Sequence, residues 1–293
     1  DFLFIVACAT VASPPVDLVI KACAQEWRTL ATQVRHLVDQ LEGPGAFRTR
    51  LLVLDQRAEG FTRAYDTADL EALRREANAL VRRGLVDQVL DAPADGPASE
   101  ALLSRWFGVS ATASHTATGA PLIPALLGFE ACASPYVLQV DADLMIMRTD
   151  RAHDPIAELV DVLEGDPHAL TASLNICSSS DRVWTSEGPG GPWRVEVRGA
   201  MFHRGRLLAG CPWPNEVVEG HCLNAWHRAV DQGLAGRALR SYRGGDARFG
   251  IRTRKTRERP HAPQDRLALK LPYRVSAALA QARHHGREGE NKQ

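Results

Sequence analysis

Apolar residues along this chain follow two rhythms. Short apolar stretches, VDLVIKA at 16–22, LLVL at 51–54, LVDQVLD at 85–91 and YVLQV at 136–140, read as strands of a buried sheet. Between them the spacing turns helical. Trp27, Leu30, Val34, Leu37, Val38 and Leu41 predict a helix over about 25–41, stopped by EGPG. Leu70, Leu73, Ala77, Leu80 and Val81 predict a second helix, capped by Asp66 or Thr67 and ended by Gly84. Residues 92–118, rich in Ala, Ser, Thr and Pro, read as irregular, and Pro121 opens a third helix in LIPALLGFEACA. Strands alternating with helices need crossover connections, so the expected fold is α/β, with a mostly parallel central sheet flanked by helices.

The second half is less regular. It predicts a helix over 156–163, a strand in LTASLNI, a loop over 177–193, a strand in RVEVRGAMF and a helix over 224–232. No internal repeat is visible. The expected organisation is an N-terminal strand or tail over 1–15, one α/β domain over 16–270, and a C-terminal helix with a frayed tail over 271–293.

Bulk properties narrow the classes. The 293 residues carry zero formal net charge, so the chain as a whole does not attract nucleic acid. Hydrophobic residues make up 45%, as in a soluble globular protein. FLFIVACATVA, at the start, is too short to span a bilayer and reads as a buried strand. Cys8, Cys23, Cys132, Cys177, Cys211 and Cys222 are scattered and form no CxxC pair. They read as reduced thiols in a cytoplasmic protein with at most peripheral membrane contact.

The sharpest chemical signal is YVLQVDADLMI, in which a buried strand runs into Asp141 and Asp143. Ligands of open parallel sheets bind beyond the carboxyl ends of the strands. Alternation would send both side chains to one side, where two carboxylates repel unless a cation joins them. Oxygen ligands suit Mg²⁺ or Mn²⁺, and Mg²⁺ typically takes one or two carboxylates plus substrate phosphates. The pair therefore predicts a metal–diphosphate site; a solvated turn is the bland alternative.

YVLQVDADLMI resembles the Asp-x-Asp segment of GT-A fold glycosyltransferases, especially family 2. The likeness spans roughly residues 16–266 and is looser away from Asp141. Asp55 in LLVLDQ matches an aspartate that touches the nucleobase, and Gly119 lies in the glycine-containing turn before the metal motif. The resemblance implies metal-dependent transfer of a sugar from a nucleotide diphosphate sugar to a glycan, lipid-linked or small-molecule acceptor, with no nucleic-acid partner. It makes Asp143 the main ligand of Mn²⁺ or Mg²⁺. Asp141 would hold the ribose or a metal-bound water, and Lys21, Ala22 and Cys23 would line the nucleoside pocket. Arg198 would face the cleft, Arg243 and Arg248 would close over the diphosphate, and His261 would complete the metal coordination.

One departure concerns the base that inversion requires. Arg228 and Gly233 fit the family pattern, but His221 and Cys222 stand where the acidic pair is expected. Glu219 is the nearest carboxylate and takes that role, with Glu216 and His227 as alternatives; retention would not need it. Trp184 and Trp193 would stack on sugars from a lid or tuck into the surface. Three rivals are weighed. A haloacid-dehalogenase-type phosphatase would carry its Asp-x-Asp near the N-terminus, and a nucleotidyltransferase would want glycines after the first strand. A GT-A domain without turnover is the third.

Overall fold

A strand covered by helices on both sides must be apolar on both faces. The first strand, β1 (Val16–Ala22), meets this demand, with Leu18, Val19 and Ile20 wholly buried. The computed structural model describes residues 14–42, 47–58, 67–174, 184–188, 191–245 and, mainly as backbone, 249–252. Its helices are α1 (Leu30–Leu41), α2 (Leu70–Arg82), α3 (Pro97–Phe107), α4 (Ile123–Ala131), α5 (Pro155–Gly165), α6 (Arg204–Ala209) and α7 (Trp226–Leu234). Leu18 and Ile20 pack into a core shared with α1, α2 and α5. Val19, between them, points into a second core with α3, α4, α6 and α7.

The central sheet is completed by β2 (Thr49–Leu54), β3 (Gln88–Asp91), β4 (Tyr136–Asp141), β6 (Ala169–Ser173), β9 (Gly199–His203) and β12 (Arg240–Arg243). Its seven strands lie in the order β12-β6-β9-β4-β1-β2-β3. β3, β2, β1 and β4 pair in parallel, as do β6 and β12. β9 enters antiparallel between β4 and β6. This is the expected α/β class, with a mostly parallel sheet flanked by helices. Smaller two-stranded antiparallel sheets pair β5 (Met145–Arg148) with β13 (Phe249–Arg252), β7 (Glu187–Gly188) with β8 (Gly191–Pro192), and β10 (Val217–Val218) with β11 (His221–Cys222).

Several boundaries differ from the sequence reading. The first helix begins at Leu30, after a 3₁₀ turn over Ala24–Glu26 that leaves Trp27 only partly buried. Asp69, rather than Asp66 or Thr67, caps α2, its side chain accepting from the Ala72 N–H at 2.8 Å. The stretch 92–118 is not wholly irregular, because it holds α3. Pro97 supplies the first helical turn, and Gly108, at φ 67°, ends the helix in the left-handed conformation. Residues 194–198 of RVEVRGAMF lie outside β9, and a short helix, α6, follows that strand directly. The last helix starts at Trp226, two residues late. Most of 1–15 and all of 271–293 lie outside the described residues. Among the described residues, no helix is long and apolar enough to cross a membrane.

Candidate functional site

The carboxyl ends of β1, β2 and β4 meet on one edge of the sheet, and the register fixes who meets whom. Lys21 and Asp141 are direct partners across the β1–β4 pair. Lys21 Nζ stands 2.8 Å from Asp141 Oδ1 and donates to the Val197 carbonyl at 3.2 Å. The ammonium also lies 5.9 Å from the ring centre of Trp226. A lysine of the chain itself thus stands against Asp141. Burial lifts the Asp141 carboxyl above its ordinary value; Lys21 pulls it back, Asp143 pushes it up, and Arg198 opposes.

Strand alternation does not place Asp143, which corrects the sequence argument. β4 ends at Asp141, and the Leu144 N–H closes a turn onto the Asp141 carbonyl at 3.0 Å. Ala142 is buried in that turn and Asp143 is exposed. The backbone is pinned on both sides. Ala142 N–H donates to the Lys21 carbonyl at 2.8 Å, and Asp141 N–H to the Arg198 carbonyl at 3.0 Å.

At the end of β2, Asp55 is 9% exposed and heads a chain of polar groups. His115 Nε2 meets Asp55 Oδ2 at 2.8 Å, and His115 Nδ1 meets Ser114 Oγ at 2.9 Å. The Ser114 hydroxyl donates to Asp95 Oδ1 at 2.6 Å, and hydrogen bonds from Ser114 hold the Asp95 carboxyl below its usual value. Asp55 Oδ1 takes the Arg57 N–H at 3.1 Å. His221 Nδ1 lies 3.1 Å from the His115 carbonyl, which ties the β10–β11 hairpin to this loop. Gly119, at φ 85°, sits in the turn beyond His115, where its N–H bonds the Thr116 carbonyl at 2.8 Å.

Ala22 is buried, and its carbonyl takes the Asp55 N–H at 2.8 Å. Cys23 follows at the start of the 3₁₀ turn, where its N–H donates to Glu26 Oε2 at 2.8 Å. Arg198 is half-exposed, with its Nε 3.5 Å from Glu196. Arg243 is braced by Glu196 at 3.2 Å and by Ser173 Oγ at 3.3 Å, and its guanidinium lies 4.7 Å from the Trp193 ring centre. Trp184 donates to Glu158 at 2.8 Å, so both tryptophans are tucked in. Glu219 sits in the β10–β11 turn with φ 51°, exposed like Glu216. Burial pushes His227 down to about 4, leaving it neutral, with Nδ1 lacking a hydrogen-bond partner. Arg248 and His261 lie outside the described residues.

Sequence reasoning missed Glu196, which joins Arg198 and Arg243, and the Asp95–Ser114–His115 chain. A histidine inside a Ser- and Thr-rich stretch was the sole local signal for the latter. Among the described residues, no group of three or more His, Cys, Asp or Glu side chains is placed to hold a metal ion. Asp141 and Asp143 feel each other electrostatically, and carboxylate oxygens are the donor type that Mg²⁺ or Mn²⁺ takes.

No protein-family model matches the chain, and a search of curated proteins finds no match. Solved structures do resemble it. One is the mannosyltransferase PcManGT from Pyrobaculum calidifontis, in complex with GDP-Man and Mn²⁺. It is 15% identical with a TM-score of 0.43, over 80% of this chain and 55% of that one. Another is TarS of S. aureus, 12% identical with a TM-score of 0.45, over 79% of this chain and 35% of that one. TarS 1-349 in complex with UDP-GlcNAc is 11% identical with a TM-score of 0.41, over 79% and 58%. The chain thus spans between about a third and three-fifths of the solved structures it matches.

Proposed function

We propose that the protein is a family 2-like GT-A glycosyltransferase that moves a hexosyl group from a nucleotide diphosphate sugar to an acceptor hydroxyl, with inversion. The observation that carries this reading is the Asp141–Asp143 pair at the carboxyl end of β4, with Asp141 against Lys21 of β1 and the buried Asp55 beyond it at the end of β2. Brought together on one sheet edge, these groups match a ligand with a base at one end and a diphosphate at the other.

Mn²⁺ or Mg²⁺, when bound, would supply electrostatic stabilisation of the charge that develops on the leaving nucleotide. Asp143 holds the metal in this reading, and Asp141 orients the ribose or a metal-bound water. Lys21, Ala22 and Cys23 line the nucleoside pocket. Asp55 addresses the base, with Gly119 in the turn beside it. Arg198 offers a half-exposed guanidinium to the cleft; Arg243, which shares Glu196 with it, would close over the diphosphate with Arg248, and His261 would complete the metal coordination. Glu219 takes the acceptor proton from the tip of its hairpin. His227 is a poor substitute, since an imidazole held at about 4 is a weak base at neutral pH. The enzyme would work in the cytoplasm or at the inner membrane face, on a glycan, a lipid-linked acceptor or a small molecule.

A second reading, a domain that binds a nucleotide sugar without turnover, draws on Cys222. It stands where an acid is expected, is wholly buried, and has its thiol pushed up to about 11 by burial. A thermal-shift screen of UDP-, GDP- and TDP-sugars, with and without Mn²⁺, tests binding. A nucleotide-specific shift that needs Mn²⁺ and disappears in Asp143→Ala is expected. No shift with any sugar nucleotide in the folded protein would sink both readings. Sugar release or transfer from the donor that binds separates them.

A further inference from the structure

Much of Asp55 is already engaged inside the protein. His115 Nε2 meets its Oδ2 at 2.8 Å, and the Arg57 N–H donates to its Oδ1 at 3.1 Å. The His115 side chain is 2% exposed and that of Asp55 13%, so Oδ2 faces inward, toward a buried ring. The ring is itself fixed. Ser114 has one hydroxyl proton and gives it to Asp95 Oδ1 at 2.6 Å, so toward His115 Nδ1, 2.9 Å away, it offers a lone pair. Nδ1 therefore carries a proton, and Nε2 is the atom left for Asp55. Backbone contacts pin the loop. The Leu122 N–H holds the Ser114 carbonyl at 3.1 Å, and His221 Nδ1 lies 3.1 Å from the His115 carbonyl. Whichever of Nε2 and Oδ2 carries the proton between them, Oδ2 is committed to His115.

We infer that His115 leaves Asp55 a single acceptor oxygen, Oδ1, for the nucleobase, and so selects a uracil- or thymine-bearing diphosphate over a guanine-bearing one. The inference rests on the nucleotide-sugar reading above, in which Asp55 addresses the base. Its logic is a count of N–H groups. Uracil and thymine present one ring N–H between two carbonyls, which one carboxylate oxygen satisfies. Guanine presents two parallel N–H groups, on N1 and on its 2-amino group, and these pair with a carboxylate through both oxygens at once. With Oδ2 turned inward, the second N–H is buried without a partner, which weighs against binding. Adenine and cytosine set a ring-nitrogen lone pair beside their amino group, and that lone pair would face a carboxylate. His115 is a positioning residue in this account. It touches no ligand and acts through Asp55.

Isothermal titration calorimetry with UDP, TDP, GDP and inosine diphosphate, Mn²⁺ present throughout, is the test. Inosine diphosphate is the informative probe, because it keeps the purine ring and the N1–H of guanine and lacks the 2-amino group. In wild type, the tighter of UDP and TDP should bind at least about tenfold more tightly than GDP, and inosine diphosphate at least as tightly as GDP. His115→Leu releases Oδ2, so GDP should gain at least about tenfold over inosine diphosphate. His115→Gln, which keeps a donor beside Asp55, should hold the wild-type ratio. A substitution that merely loosened the loop would weaken every nucleotide together and leave that ratio unmoved. Three results overturn the inference and leave the nucleotide reading standing: wild type that binds GDP more tightly than inosine diphosphate, wild type that binds GDP as tightly as the better pyrimidine, or a ratio unchanged in His115→Leu. A ratio that shifts as far in His115→Gln as in His115→Leu overturns it too. If His115→Leu does not fold, His115→Ala takes its place, and the wild-type comparisons decide alone if neither folds. Should none of these nucleotides bind, and no UDP-, GDP- or TDP-sugar shift the melting temperature, the nucleotide reading falls and takes the inference with it.

Discussion

His115 Nε2 lies 2.8 Å from Asp55 Oδ2, although the two residues are 60 positions apart in sequence. His115 is 2% exposed, so this contact lies inside the protein and joins the loop before α4 to the end of β2. Replacing His115 with Leu strands a buried carboxylate oxygen, at a cost of about 2–4 kcal/mol. His115→Gln keeps a donor and should recover part of it. Urea unfolding of the three proteins measures the difference; equal midpoints would show that the contact contributes nothing.

A second prediction concerns how closely α4 lies on the sheet. A Cβ on Gly128 would meet Val19 Cγ1 at 2.5 Å. Gly128→Ala should destabilise the protein by about 1–3 kcal/mol, despite the better helix propensity of alanine. Val19→Ala removes the obstructing methyls, so the double variant should be more stable than the two single losses add up to. Thermal melts of the full cycle test this, and strict additivity would speak against the clash.

Acid should weaken the fold before carboxylates titrate. Burial first, then the charges of Arg228 and Lys21, bring His227 from 6.5 down to about 4, while Glu196 opposes. Between those values the folded protein binds fewer protons at this site than the unfolded chain. Stability therefore rises with pH through the window and is fully present above about 6.5. The loss on acidification should be on the order of 2–3 kcal/mol. His203, also lowered by burial, acts in the same sense. Urea titrations from pH 4.5 to 7.5 should give a shallower slope for His227→Gln than for wild type, and parallel slopes would contradict the assignment.

The thiols offer a chemical check. Burial pushes Cys132 up to about 12, and Cys211 and Cys222 up to about 11. Thiolates are the reactive species, so iodoacetamide at pH 8 should spare all three in native protein and label them in urea. Peptide mapping reads the outcome, and native labelling of Cys132 would be incompatible with this packing.

How far the sequence could be read depends on the range of the interactions. The sheet-forming runs at 16–22 and 51–54 announce themselves because both faces of each strand are buried. α1 and α2 follow from periodicity, since Leu30, Val34, Leu37 and Leu41 keep one face. α3 was hidden by its Ala- and Ser-rich composition, although Pro97 and Gly108 mark its ends. The direction of β9 has no local signature, because an apolar run reads alike both ways. At the site, Asp141 and Asp143 were legible as a strand-end pair. The Lys21 contact was not, since it depends on the register between strands that begin 120 residues apart. Glu196 and His115 were invisible for the same reason.

The antiparallel entry of β9 also sets a timetable. The β1, β2 and β4 ends exist once the chain has reached Asp141, but the carbonyls that receive Lys21 Nζ and the Asp141 N–H belong to Val197 and Arg198. Lys21 and Val197 are 176 residues apart, among the longest-range hydrogen bonds in the fold. Contacts of such separation form late, because the loop-closure entropy must be met before they repay it. During synthesis, a chain paused before residue 197 would expose the half-built edge of β4 as an unpaired strand, open to pairing with another chain. Arrival of β9 seals that edge, so the setting of the Lys21–Asp141 corner and the protection of β4 from such pairing are the same event.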